Sequence, residues 1–456
     1  MIINKILKTF LMFLLFLFLN CTPVIADSFP PKSAVDLSQC QKIIEVVSGV
    51  YVAVGYGPAN STLIEGDDGI IIVDTMENTQ TAERVLAEFR KITKKPIKAI
   101  IYTHSHQDHA GGAKVFFRES KPEIYARANF KSDLLQANKI GKILKIRTDR
   151  QHGLILSPQK QRDIGRLVCN LVLKSDFGDG FLPPNRKFVE ERLPLEIAGV
   201  KLELVAAPGE TEDQLFVWLP DQKVLLCGDN YYKGFPNLYA IRGHYRSPSQ
   251  WADSLDKMLA EEPEYLIPGH TLPVSGAENV KQLLTDYRDA VRYVLDRTLE
   301  GMNRGLTPDR LVETIKLPEY LAGKPYLKEI NGTVPWTVRS IYEAYLGWFD
   351  GNPTNLFPLS PVEESQRIAL LAGGEQALLT AARDAVRGGD YQWASQLADY
   401  CIALKFETQK AKALKVEALT ALAGQQINYN ARHYYLSVAK ELREQIESEN
   451  SVASQF

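Results

Sequence analysis

The chain has 456 residues, and at roughly 100–200 residues per domain it holds more than one domain. Hydrophobic residues make up 45% and charged residues 24%, which excludes a disordered, collagen-like or multi-span membrane chain. A net charge of −2 leaves no electrostatic footprint for nucleic acid, and five cysteines exclude a disulfide-framed mini-domain.

The N-terminus reads as an address. Lys5 and Lys8 precede the apolar run Phe10–Leu19. That run is shorter than the about 20 residues a bilayer needs, but it suits the core of a signal peptide. Val24-Ile25-Ala26 supplies the small-residue exit, so residues 1–26 are expected to be removed on export to the periplasm or beyond, leaving no membrane span. Cys21 raises the alternative of a lipid anchor, although Asn20 before it makes a poor lipobox, and an uncleaved anchor is a third option. Cys40, Cys169, Cys227 and Cys401 remain after cleavage; no spacing pairs them, and they read as core thiols.

The predicted elements then run in strand–helix order. Ile43–Tyr56, Ser61–Glu65 and Ile70–Asp74 read as strands, with a turn at Gly66–Gly69. Thr79–Thr93 has helical spacing, Ile97–Tyr102 is a buried strand, and Ala110–Arg118 opens a second helix. Leu202–Ala206, Leu215–Leu219 and Lys223–Cys227 are strands, Trp251–Ala260 is a helix, and Tyr265–Ile267 is a last strand ending in Pro268-Gly269-His270. Beyond about residue 280 strand signals nearly vanish. Val280–Asn303 is a long amphipathic helix, and the aromatic residues from Trp336 to Phe349 read as interdomain core. Glu375–Arg387, Trp393–Leu404, Thr408–Leu422 and Ala431–Glu447 read as helical hairpins. The expected organisation is an α/β catalytic domain over 40–280, a helical connector over 281–360, an all-α helical-hairpin domain over 361–447 and a polar tail over 448–456.

Histidine carries the chemical signal. Three of only seven fall within His104-Ser105-His106-Gln107-Asp108-His109, directly after a buried strand. Imidazoles and a carboxylate are the ligands that Zn²⁺ or iron prefers. In an extended segment residues i and i+2 project to one side, so His104 and His106 can grip one ion while Asp108 and His109, at the turn into a helix, hold a second. Gly111 and Gly112 allow that helix to approach closely.

This segment resembles the HxHxDH signature of the metallo-β-lactamase superfamily. The resemblance implies an αββα sandwich of two mostly antiparallel sheets with metals on loops at one end. Ile70–Asp74 resembles the family's strand ending in an Asp that braces the metal loop. Where most members have a His, Pro208-Gly209-Glu210 offers a Glu, and Cys227-Gly228-Asp229-Asn230 follows. The resemblance thus implies His104, His106 and Glu210 on one divalent ion, Asp108, His109 and His270 on another, and Asp229 bridging, with Zn²⁺ as the expected metal. The Glu210 substitution is similar to the alkyl sulfatases of this fold. In those, an Asn and an Arg after the bridging acid hold the sulfate; Asn237 and Arg242 fit that pattern. They also carry a helical dimerisation domain, which 389–394 and 428–436 resemble, so a homodimer is expected. Two departures stand out: Asp229 replaces their usual Glu, and the chain ends near 456 without their sterol-carrier-like domain, which points away from long-chain detergents.

The implied activity is hydrolysis of a sulfate monoester of an alkyl alcohol. The two ions lower the pKa of a water to about 7 to give hydroxide, with Asp108 essential to the site. Arg242 presents a planar fork to sulfate oxygens. His244 is a candidate proton donor to the leaving oxygen, whereas His152 and His433 show no partner pattern and read as structural. Alternatives are another hydrolase on the same fold, acting on a lactam, thioester or phosphoester, and an exported dimeric scaffold with a vestigial site.

Overall fold

A computed structural model describes residues 41–131, 138–158, 160 and 178–453. The signal-peptide segment, Cys40 and Cys169 lie outside the described residues; Cys227 and Cys401 are free, buried thiols.

The first apolar stretch divides into β1 (Lys42–Val47) and β2 (Val50–Val54) instead of forming one strand. Gly49, at φ +82°, supplies the left-handed turn residue that folds the run back on itself. β3 (Ser61–Glu65) and β4 (Ile70–Val73) follow as a second hairpin. α1 (Thr79–Ile92) starts at Asn78, whose side chain accepts from the Thr81 N–H, and buries Val85, Leu86 and Phe89. β5 (Ile97–Ile101) leads into the short α2 (Gln107–Ala110), α3 (Ala113–Ser120), β6 (Glu123–Arg127), α4 (Gly141–His152) and β7 (Arg186–Phe188). These strands form one sheet in the order β1 to β7. Its first three pairings are antiparallel and its last three parallel. The sheet is therefore less antiparallel than the resemblance implied, because β4 reaches β5, and β5 reaches β6, by helical crossovers, and only parallel strands need these.

β8 (Arg192–Ile197), β9 (Val200–Ala206), β10 (Leu215–Leu219) and β11 (Val224–Gly228) build the second sheet. A two-rung hairpin, β12 (Tyr239–Ala240) and β13 (His244–Tyr245), interrupts it before α5 (Pro248–Ala260), β14 (Tyr265–Pro268) and β15 (Val274–Ser275). The order is β15-β14-β11-β10-β9-β8. One apolar core lies between the sheets, with Val52, Ile71 and Ile101 facing Leu204, Val217 and Leu226. A second joins the outer face of the first sheet to α1 and α3 through Ile72, Ile100, Phe89 and Phe116. A third joins the outer face of the second sheet to α5 through Phe216, Leu225 and Trp251. The layer order is helix, sheet, sheet, helix: an αββα sandwich.

The rest is helical: α6 (Ala277–Asn303), α7 (Pro308–Thr314), α8 (Glu319–Ala322), α9 (Val334–Leu346), α10 (Pro361–Ala372), α11 (Glu375–Gly388), α12 (Tyr391–Ala403), α13 (Thr408–Gln425) and α14 (Tyr429–Ala453). α6 and α9 extend the third core, through Tyr287, Val291 and Ile341. Leu378, Leu397 and Ala411 knit α11, α12 and α13 together. α14 runs into the stretch expected to be a polar tail, where Glu449 pairs with Lys412 at 2.6 Å. The aromatic cluster is not the uniform core expected of it. Tyr342 is buried and Trp336 half-buried, but Tyr345 and Trp348 are 54% and 71% exposed. They lie in and just past the last turn of α9, where its buried face has ended.

Candidate metal centre and active site

The site lies at the ends of β4, β5, β11 and β14, where four strand-to-loop transitions converge. Asp74, just past β4, is almost fully buried and accepts three hydrogen bonds. Thr103 N donates to its Oδ1, and Thr103 Oγ1 to its Oδ2, both at 2.8 Å; His109 Nδ1 reaches Oδ2 at 2.7 Å. That last bond commits Nδ1–H to Asp74 and leaves His109 Nε2 facing the cluster, the usual way a carboxylate orients a ligating imidazole. His270, just past β14, is held likewise, its Nδ1 donating to Pro58 O at 2.6 Å. Gly112 permits the close approach expected of it, since a Cβ there would fall 2.3 Å from Thr75 O.

All seven sequence-predicted ligands meet. Ligand atoms of His104, His106 and Asp229 lie within 4.8 Å of one another, as do those of Asp108, His109 and His270. Asp229 stands between the groups: its Oδ2 is 3.0 Å from His270 Nε2 and 3.8 Å from His104 Nε2, and its Oδ1 is 3.3 Å from His109 Nε2. Glu210 lies beside the first group, with Oε1 3.8 Å from His106 Nδ1. His109 Nε2 and Asp229 Oδ1 face each other at 3.3 Å inside this cluster without hydrogen-bond geometry. Buried polar atoms nearly always have well-formed hydrogen bonds, so a buried cage of imidazoles and carboxylates whose facing atoms lack that geometry fits a metal site, with the donor set that Zn²⁺ favours.

The electrostatics separate the two groups. Burial, with the charge of neighbouring imidazoles, holds His104 and His106 well below the usual histidine range, so both are neutral. Burial also pulls on His109 and His270, but carboxylates outweigh it. Asp229, Asp108 and Asp74 raise His109 well above its ordinary value, and Asp229 lifts His270 to about 9. Burial pushes Glu210 up to about 7, opposed chiefly by Arg246.

The other predicted residues occupy the segment after β11. Asn237 is buried with no partner for Oδ1. Arg242 lies in the turn between β12 and β13 and brings Nη2 to 3.5 Å from His106 Nε2. Burial lowers its guanidinium to about 10, which leaves it charged at neutral pH. The backbone of His244 pairs with Ala240 in the β12–β13 hairpin; its side chain is not among those described. Sequence reasoning gave no role to Arg246. It is 4% exposed, binds Glu210 Oε2 at 2.5 Å and donates to Asn237 O at 2.7 Å. It thereby ties a candidate ligand to the candidate substrate segment. Its position four residues after Arg242 was visible, but nothing local marks it as buried.

The model of the metallo-beta-lactamase superfamily matches residues 54–270, and that of alkyl sulfatase dimerisation matches 307–445. A linear primary-alkylsulfatase of Pseudomonas sp. is 40% identical over 85% of this chain and 74% of its own length. An alkyl/aryl-sulfatase of Saccharomyces cerevisiae is 30% identical over 91% of this chain and 66% of its own length. The solved structure of the stereoselective inverting sec-alkylsulfatase Pisa1 from Pseudomonas sp. superposes with a TM-score of 0.80 at 32% identity, covering 88% of this chain and 66% of that one. The chain thus spans about two thirds of the length of several of these relatives. With both matched regions and these relatives in place, the chain belongs to the alkylsulfatase family of the metallo-beta-lactamase superfamily.

Proposed function

We propose that this chain is an exported, dinuclear metal-dependent hydrolase that cleaves sulfate monoesters of alkyl alcohols and works as a homodimer. The observation that carries the reading is Asp229, whose carboxylate stands between the two groups of candidate ligands. One ion would be held by His104, His106 and Glu210, the other by Asp108, His109 and His270, with Asp229 shared. Two divalent ions, Zn²⁺ by donor type, supply Lewis acidity and water activation at neutral pH. The chain's own residues do the rest. Asp74 and Pro58 O fix the imidazoles of His109 and His270. Arg242, next to His106, offers paired N–H groups to sulfate oxygens and orients the ester against the cluster. Asn237 shares that contact, and His244, two residues from Arg242, is the proposed proton donor to the leaving oxygen. Export rests on the signal segment at residues 1–26; among the described residues no helix is long and apolar enough to cross a membrane.

The test is sulfate release from short alkyl and aryl sulfates set beside phosphate, thioester and β-lactam substrates. The expected result is chelator-sensitive turnover of sulfate esters alone. Turnover of another ester or of a lactam without sulfate release would move the chain to another reaction of the fold.

Exposed apolar side chains support the proposed dimer. Trp348, Phe357, Leu370 and Leu371, all within the matched dimerisation region, are 71, 94, 80 and 84% exposed, apolar surface that a partner chain would cover. The chain is expected to sediment at twice its mass. A Leu370→Glu, Leu371→Glu pair is expected to halve that value, and an unchanged dimer would place the interface elsewhere.

A further inference from the structure

Asn237 and Arg242 sit on a segment with little structure of its own, since β12 and β13 are two residues each. Two routes hold it from outside. On the first, the Asn237 N–H donates to Tyr232 Oη at 2.6 Å and Asn331 Nδ2 donates to the same hydroxyl at 3.2 Å. Asn430 Nδ2 donates in turn to Asn331 Oδ1 at 2.8 Å. Backbone bonds run alongside, Phe235 N to Lys328 O and Tyr429 N to Ile330 O, both at 2.8 Å. Gly332 presses on the segment itself: a Cβ there would lie 2.0 Å from Pro236 O and 2.7 Å from Asn237 Cα.

On the second route the Arg242 N–H donates to Gln151 Oε1 at 3.1 Å. Gln151 is 1% exposed, and its backbone carbonyl accepts from His433 Nδ1 at 3.1 Å. The neighbouring Arg150 clamps α4 to α14 through two bonds to Glu441, at 3.0 and 2.6 Å. Both routes end in the first turns of α14, at Asn430 and His433. That helix belongs to the matched dimerisation region, not to the sandwich that holds the ligands.

We propose that the start of α14 sets the positions of Asn237 and Arg242, so that the helical domain is part of the anion-binding machinery. This rests on the reading that these two residues hold the sulfate. Tyr232, Gln151, Asn331, Asn430 and His433 are positioning residues, acting through the Asn237 and Arg242 backbone. Each route fixes one of two groups that must converge on a single anion, and a displacement of about 1 Å there is enough to weaken binding strongly.

The test uses the full chain carrying Tyr232→Phe, which keeps the ring and deletes the shared acceptor, and Gln151→Met, which keeps the length and deletes the other. Gly332→Ala pushes on the same segment without removing a polar group. Each is expected to raise KM for an alkyl sulfate, and the inhibition constant of inorganic sulfate, by about tenfold. Because the routes approach from different sides, Tyr232→Phe and Gln151→Met combined should multiply these effects. Metal content should stay unchanged, since no proposed ligand is touched. Unchanged KM and sulfate inhibition in the double variant would overturn the proposal. So would a fall in kcat that tracks loss of metal, which marks general collapse of the site. A parent chain that neither cleaves sulfate esters nor is inhibited by sulfate contradicts the function proposed above, and this proposal with it, before any variant is made.

Discussion

Replacing Asp229 with Ala is expected to lower sulfate-ester turnover by about 10³-fold or more and to leave the protein short of metal. Asp229 is 3% exposed and has three imidazole nitrogens within 3.8 Å. Its carboxylate lies within 3.8 Å of imidazole nitrogens in both groups. Its charge, against the cost of its own burial, is what raises His109 and His270, and they in turn hold its carboxyl well below the usual carboxylate range. Removing it leaves buried imidazoles facing one another with only Asp108 and Asp74 to compensate. Asp229→Asn keeps the volume and loses the charge, so it should restore packing without restoring turnover. Metal content and kcat measured on the same preparations decide the matter; turnover near the parent value in either variant would show that no bridging carboxylate is needed.

Arg246→Ala is expected to destabilise the chain by about 3–5 kcal/mol, the usual consequence of stranding one partner of a buried ion pair. It should also weaken the ion held by His106. Glu210 is 9% exposed and already sits at about 7, burial raising it and Arg246 opposing. A carboxyl must be deprotonated to ligate. A proton competes with the proposed ion for Glu210, and because Arg246 opposes protonation of Glu210, its loss favours the proton and moves the point of metal release to higher pH. The acid limb of the pH–rate profile should shift upward by about one unit or more. The variant also frees Asn237 O from its bond to Arg246, so KM for the sulfate ester should rise as well. An acid limb that stays in place would show that Glu210 is not a ligand whose charge matters.

The core of the candidate metal centre was legible because its residues are chemically rare and close in sequence. Three imidazoles and a carboxylate at 104, 106, 108 and 109 form a donor set that a metal ion needs and an ordinary polar loop does not. Asp74 was marked by the strand it ends. Glu210, Asp229 and His270 were legible only through the resemblance, which matches their Pro-Gly and strand-end contexts to the family's ligand positions. Strands that are apolar throughout, such as Leu215–Leu219, were legible from the residues, whereas their arrangement as a sandwich was legible only through the family resemblance. β6, β7 and β8 were missed because charge interrupts them: Glu123-Ile124-Tyr125-Ala126-Arg127 alternates weakly, and Arg186-Lys187-Phe188 has one apolar residue in three. α4 was missed for a related reason, since among its twelve residues only Gln151 is buried. The supports of the site were the least visible. Arg246 looks like a surface residue until the fold buries it against Glu210, and the links from Tyr232 to Asn331 and from Gln151 to His433 join residues 99 and 282 positions apart. Hydrogen bonds at such separations leave no periodic trace.

The central claim is that two ions bound by this cluster drive the reaction. The most direct measurement adds Zn²⁺ back to chelator-stripped protein and follows sulfate release from an alkyl sulfate against equivalents added. Activity that climbs to a break at two equivalents per chain is the expected result. A break at one equivalent would contradict the shared role of Asp229, and release that persists in the stripped protein would contradict the metal-dependent mechanism itself.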